Sequence, residues 1–241
     1  MKSGKKISPS SRRSLRSQLG RRDRSILSDV IRYRLTTNEF LFERYFKQLQ
    51  PNAVAKISAR LVRQGWLMAY PLIDRQQYFV AGLTLVKAYG LPASRTRPLG
   101  PQALLTHFAI AKYCFTSGLQ IRFVEDTEFP IDFPTLAPQS HRGIHVIEST
   151  DGVTTFRNVR VDLGGTPEHV TRKCVADLAT RQNDHAFNRI VADKRFVAVV
   201  LTATPAKQNL IQRALSKRTW PKGMRFQVYV IPELGLFLPS T

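Results

Sequence analysis

Between Pro51 and Gly65 the apolar and polar positions separate onto opposite sides of a helix. At about 100° per residue, Val54, Ile57 and Leu61 fall together, and Asn52, Lys56, Arg60 and Arg63 fall opposite them. Pro51 suits the first helical turn, where its missing N–H leaves no bond unmade. Gly65 stands where a left-handed C-terminal cap is wanted. Upstream, SILSDVIRYRL carries Ile26, Leu27, Val30 and Ile31 at helical spacing, and TTNEFLFERYF opens on a Thr/Asn capping signal before its own apolar run. Downstream the period changes to two. Trp66, Met68 and Tyr70 alternate on one strand, Tyr78 and Val80 on the next, and Asp74-Arg75 makes the turn between them.

Three short helices followed by a hairpin predict a winged helix-turn-helix over residues 24–90. In such a module the third helix enters the major groove and the wing meets phosphates. Double-stranded DNA is therefore the expected partner, with Asn52, Lys56, Arg60, Arg63 and Arg75 as contacts. The plainer reading of the same charges is a solvated helix face.

The stretch LPASRTRPLGPQ is rich in Pro, Gly and Arg, which places a linker at 91–101 and a second domain at 102–241. The helix after it carries Leu104, Phe108, Ala111 and Phe115 on one stripe, with His107 at the flank as a packing residue. Strands IRFVED, GIHVIES, VTTFRNVRVDL, FVAVVLTAT and RFQVYVIPE then alternate with helices, and the apolar run Phe196–Leu201 reads as a strand covered on both faces. The fold class expected is α/β overall, a winged helix followed by a small mixed α/β domain.

Composition sharpens the choice of partner. The 241 residues carry a formal charge of +20 and a pI near 10.7, the footprint of a protein that follows phosphates. Residues 1–23 read as a disordered basic arm interleaved with Ser and Gly, in which Arg12, Arg13, Arg21 and Arg22 are candidate phosphate contacts. The absence of a long apolar run and of a signal-like segment predicts a cytoplasmic protein without membrane insertion. Cys114 and Cys174, the two cysteines, sit in apolar helical contexts and read as reduced core residues.

A hairpin followed by helix, strand, helix and strand is also the skeleton of restriction-endonuclease-like folds, whose strand carboxylates hold Mg²⁺ and whose nearby lysine helps activate water. Asp162 and Glu148 are the candidate metal carboxylates, with Asp132 a further choice, and Lys173 stands in for the lysine, whose usual place is Gly164. The bland alternative is that Asp162 caps the turn before the helix at Pro167. His141 and His145 are spoiled as a zinc pair by Gly143 and the strand that follows, and no P-loop, dinucleotide fingerprint, nucleophile elbow or His-hydrophobe-His cluster is present.

RDRSIL, ARLVRQGWL, YFVAGLTLVKAYG, LLTHFAIAKY with His107, and VDLGGTPEHVTRKCVADL occur in the order that resembles the replication-relaxation family, which includes MobC-type plasmid mobilisation proteins. The resemblance covers most of residues 23–230. It implies DNA binding at a replication or transfer origin of a plasmid or other mobile element, relaxosome or replication proteins as partners, and, in MobC-type members, strand nicking in conjugation. Asp162 and Lys173 match its acidic and basic positions. RGIH at 142–145 replaces an Arg-Pro-Asp-like turn, a departure that favours a degenerate nuclease-like domain serving dimerisation or partner contact. The expected function is a mobilisation or replication accessory factor without a cofactor. The alternatives are a Mg²⁺-dependent nicking endonuclease or relaxase and a winged-helix transcriptional repressor.

Overall fold

A computed structural model describes residues 19–48, 50–73, 75–117, 119–125, 128–137, 140, 143–150 and 152–237. The protein is mixed α/β with two sheets. It divides into two compact units, the first ending at Ala111 and the second beginning at Lys112.

The first unit runs through helix α1 (Arg21–Tyr33), strand β1 (Thr36–Thr37), helix α2 (Asn38–Leu41) and a π-helical continuation, Phe42–Phe46. Helix α3 (Pro51–Arg63), strands β2 (Leu67–Pro71) and β3 (Gln77–Ala81) and helix α4 (Leu83–Tyr89) follow. Each start and stop has a local cause. Thr37 caps α2 by accepting the Phe40 N–H at 3.1 Å. Gly65, at φ 73°, ends α3 with Trp66 N–H donating to the Leu61 carbonyl at 2.9 Å and Gly65 N–H to Val62 at 2.8 Å, a Schellman pair. The apolar sides of α1 and α3 meet in one core that holds Ile26, Leu27, Val30, Phe46, Val54, Leu61, Trp66 and Phe79.

The three strands pair antiparallel in the order β1-β3-β2, with Thr36 opposite Phe79 and Met68 opposite Val80. Two residues are too few to show a period, so β1 is invisible to sequence patterning.

Residues 91–101, expected as a linker, belong to this compact unit instead. Ala93–Thr96 form a 3₁₀ turn, the Tyr70 hydroxyl donates to the Thr96 carbonyl at 2.7 Å, and Leu99 N–H donates to the Tyr78 hydroxyl at 3.0 Å. The Arg95 guanidinium also donates to the Ile31 carbonyl at 2.9 Å. Pro and Gly break regular structure here, but two tyrosines of the hairpin pin the segment. The boundary between units falls inside helix α5 (Pro101–Thr116).

In the second unit strands β4 (Ile121–Phe123), β5 (Ile144–Thr150), β6 (Val153–Val161), β7 (Phe196–Thr202) and β8 (Arg225–Val230) lie side by side in chain order. Pairing is antiparallel from β4 to β6 and parallel from β6 to β8. The hairpins need only short turns, whereas the parallel steps need crossovers. These are helices α7 (Pro167–Ala179) and α8 (His185–Ala192) before β7, and α9 (Pro205–Ser216) before β8; α6 (Phe129–Asp132) is a single turn. Every residue of β7 is buried, as its continuous apolar run predicts. Val170 and Cys174 of α7 and Ile211 and Leu215 of α9 pack with Val200 and Val228, while Phe187, Ile190 and Val191 of α8 pack with Phe156 and Phe196. Both cysteines are buried, with no disulfide between them.

Candidate nucleic-acid interface

Helix α3 presents Asn52, Lys56, Ala59 and Arg63 to solvent, spaced at i, i+4, i+7 and i+11 along one stripe. Its other side is fixed, with Val54 at 1 % and Leu61 at 0 % exposure. Ala55 and Ala59 are exposed too, so the stripe is low in profile between its longer polar side chains. Such a surface allows close approach to a groove floor, with Asn and Arg able to pair in the plane of base edges.

Arg60 does not join that stripe. Its Nη2 donates to both Asp23 oxygens at 2.9 Å and its Nη1 to Gln64 at 3.3 Å. The Arg60 side chain is 33 % exposed and that of Asp23 11 %. The structure therefore does not bring Arg60 together with the rest of the stripe: its position at the edge of the polar side puts it within reach of α1, where the Asp23 carboxylate takes it. Neither Lys56 nor Arg63 has an ion pair among the described residues, and both are exposed.

At the hairpin tip, Leu72 N–H donates to Gln76 at 2.9 Å and Gln76 N–H to Ile73 at 2.7 Å, closing a tight loop. Arg75 is exposed there with φ 65°, a left-handed conformation unusual for an L-residue with a side chain. Its side chain is thus presented at the end of the hairpin, as the sequence predicts.

Of the arm candidates, Arg12 and Arg13 lie outside the described residues. Arg21 and Arg22 belong to α1, so the boundary of the arm at residue 23 is corrected: Leu19 is already buried, and Gly20 accepts the Arg24 N–H at 3.1 Å. Arg22 lies over the Phe46 ring at 5.0 Å. Arg21 lines an open depression with Arg24, Ser25, Ser28, Arg44 and Tyr45. Asp29 also lines it and takes the Arg44 guanidinium at 2.7 Å and the Tyr45 hydroxyl. Burial pushes the Asp29 carboxyl above the usual range, against the opposing pull of the Tyr45 hydrogen bond and the Arg44 charge. Arg21 and Arg24 remain exposed, beside small serines that let an anion approach. In sequence the two arginines read as part of, or next to, a loose arm; only the helix shows that they share a face with Ser25 and Ser28.

The candidate metal carboxylates are not brought together. Asp162 is 5 % exposed; its Oδ1 accepts Gly164 and Gly165 N–H groups at 3.2 and 3.1 Å, and its Oδ2 accepts the Thr202 hydroxyl at 3.2 Å. It is the turn-capping residue of the bland reading. Glu148 binds Arg157, whose Nη2 lies 2.5 Å from Oε2, and Arg157 also reaches the Tyr113 hydroxyl at 3.2 Å. In register Glu148 stands opposite Thr155. Asp162 is seven residues further on, roughly 23 Å at about 3.3 Å per residue. Lys173 is exposed on α7, whose inward residues are Val170, Thr171 and Cys174. Glu148, Asp162 and Lys173 therefore do not fit a shared Mg²⁺, and the sequence assignment of Glu148 and Asp162 as co-ligands is corrected: the strand pairing separates them. Among the described residues no other group of three His, Cys, Asp or Glu side chains is placed to hold a metal.

His107 is half-buried. Burial, reinforced by Arg34 and Arg95, lowers its pKa to about 4, so the ring is neutral near pH 7. That agrees with packing rather than chemistry. His145 is buried on β5 against Phe156, with ring centroids 4.8 Å apart; its expected companion His141 lies outside the described residues. No helix among the described residues is long and apolar enough to cross a membrane.

Compared with family models, curated proteins and solved structures, the chain gives no match.

Proposed function

We propose that this is a double-stranded DNA-binding protein in which the first unit is a winged helix-turn-helix and α3 reads bases from the major groove. The observation that carries the reading is the exposed Asn52–Lys56–Ala59–Arg63 stripe, backed by a buried core and flanked by a hairpin with Arg75 at its tip. Three helices, an antiparallel hairpin and a short third strand are the parts such a module needs. Arg21 and Arg24, exposed on α1, supply further phosphate contacts.

The antiparallel-then-parallel strand order of the second unit supports reading it as a restriction-endonuclease-like scaffold, in a version whose Asp162 and Glu148 serve structure. A non-enzymatic accessory role at a replication or transfer origin of a mobile element is the function this combination supports best, and the resemblance to replication-relaxation proteins is what points to an origin.

The test is selection from a random duplex library with the full chain, wild type beside Lys56→Ala/Arg63→Ala. Wild type should enrich a consensus, and the variant should lose roughly 1–3 kcal/mol of discrimination per lost base contact. A variant that enriches the same consensus with the same affinity, or a wild type that binds no duplex at low ionic strength, would overturn the reading.

A further inference from the structure

From Lys194 to Pro232 the chain holds eight Lys and Arg residues and no Asp or Glu. The second unit gathers most of them at one edge of its sheet. The turn after α8 leads into β7 at Phe196, and the loop after α9 leads into β8 at Arg225, whose register partner on β7 is Val197. Because β7 and β8 are parallel, the two strands begin at the same edge of the sheet. Gly223 brings the two segments into contact: a Cβ there would stand 2.2 Å from the Val191 carbonyl oxygen, so the loop backbone rests on the last turn of α8.

Arg189, Lys194, Lys217, Arg218, Lys222 and Arg225 are all exposed, and none has an ion pair among the described residues. Within 189–195 and 217–225 Asp193 is the single acid. Arg195, half-buried beside them, donates to the Thr154 carbonyl at 3.0 Å. Cations near helix C-termini offset the helix dipole, which accounts for Arg189 in the last turn of α8 and for Lys217 at the end of α9. It does not account for Lys222 in the loop or Arg225 on the strand. Crowded like charges repel one another, and a polyanion relieves that cost.

Membrane phospholipid and nucleic acid are the two polyanions to separate. Surface-binding segments use large apolar side chains as anchors. None of the exposed large hydrophobic residues lies in either segment, Val153 at the start of β6 being a lone valine in the same sheet. Trp220 is turned inward, its ring 4.5 Å from that of Phe226 and its indole N–H donating to the Leu215 carbonyl at 2.8 Å. Cations without an anchor match a phosphate backbone, which positions a protein without specifying sequence.

We propose that this edge of the second unit is a further docking surface for the phosphate backbone of double-stranded DNA. It shares with the function above only the class of partner and assigns the second unit a binding role of its own.

The experiment uses the full chain with Lys217, Arg218, Lys222 and Arg225 all changed to Ser, and measures affinity for a labelled random-sequence duplex across a salt series. At roughly 0.9 per phosphate contact, the slope of log affinity against log salt should become shallower by about 2 to 3, with the consensus selected by wild type unchanged. Lys222→Glu, a single change in an exposed loop, should weaken binding in the same direction and guards against misfolding of the fourfold variant. Unchanged slope and affinity in both variants would overturn the proposal. So would loss of binding to phosphatidylserine vesicles with duplex binding intact, which would make the surface a membrane contact. If Lys56→Ala/Arg63→Ala keeps the wild-type consensus and affinity while the fourfold variant loses salt slope, the groove-reading function fails and this surface stands; the reverse pattern fails this surface alone.

Discussion

Arg60 changes its role through one contact. It lies about 80° round α3 from Asn52 on a wheel of about 100° per residue, close enough to be grouped with the polar side. Asp23, 37 positions earlier, takes it instead. Arg60→Ala is therefore expected to lower stability by about 1 kcal/mol, the scale of a solvent-screened pair, and to leave the preference among duplexes unchanged. Urea denaturation together with binding to several duplexes checks this; an unchanged midpoint with loss of preference at one base pair would return Arg60 to the groove.

His107 is a residue whose environment sets a pH dependence. Its folded pKa of about 4 lies below the ordinary 6.5, so the fold favours the neutral ring. The stability it contributes is full above about 6.5 and declines as pH falls towards about 4, because the unfolded chain takes up the proton first. His107→Gln should flatten the stability profile across that window, measured as denaturation midpoints at stepped pH. An identical slope in the variant would show that His107 is not the titrating group.

At the scale of elements, the helix starts and stops are legible in sequence because their causes are local: Pro51 at the start of α3, Gly65 at its end and Thr37 before α2 are all chain neighbours of what they cap. The hairpin is legible for the same reason, since period-two alternation sets which side each residue takes. Strand β1 is not, and neither is the pinning of 91–101, which depends on hydroxyls of Tyr70 and Tyr78 arriving from the hairpin. The hairpin tip carries its own prediction. Arg75→Gly removes the steric cost of a left-handed residue and should raise stability by up to about 1 kcal/mol, while lowering affinity evenly across sequences. A melting curve and two unrelated duplexes decide it, and unchanged affinity at low salt would take the tip out of the interface.

At the scale of the whole molecule, the charge of +20 points to a polyanion, but charge alone does not say where one binds. Two surfaces are candidates, the α3 stripe with its α1 neighbour in the first unit and the β7/β8 edge in the second. The second is hidden in the sequence because its cations come from two segments that meet only when parallel strands put the turns that precede them side by side. The candidate metal carboxylates are separated by the converse route. Glu148 lies on β5 and Asp162 just past the end of β6, its hairpin partner, and antiparallel register carries them apart.

What the sequence alone determined was everything carried by near neighbours: helix faces, caps, strand alternation, the burial of β7 and the excess of positive charge. What only tertiary structure decided was which of those charged groups remain free to act. Arg60 and Glu148 are held in ion pairs, Asp162 by N–H and hydroxyl donors, and Lys56, Arg63, Lys222 and Arg225 stay in water. The reason is physical: a side chain's chemistry depends on whether a partner competes with solvent for it, and the deciding contacts to Asp23 and Thr202 come from parts of the chain that no local pattern relates.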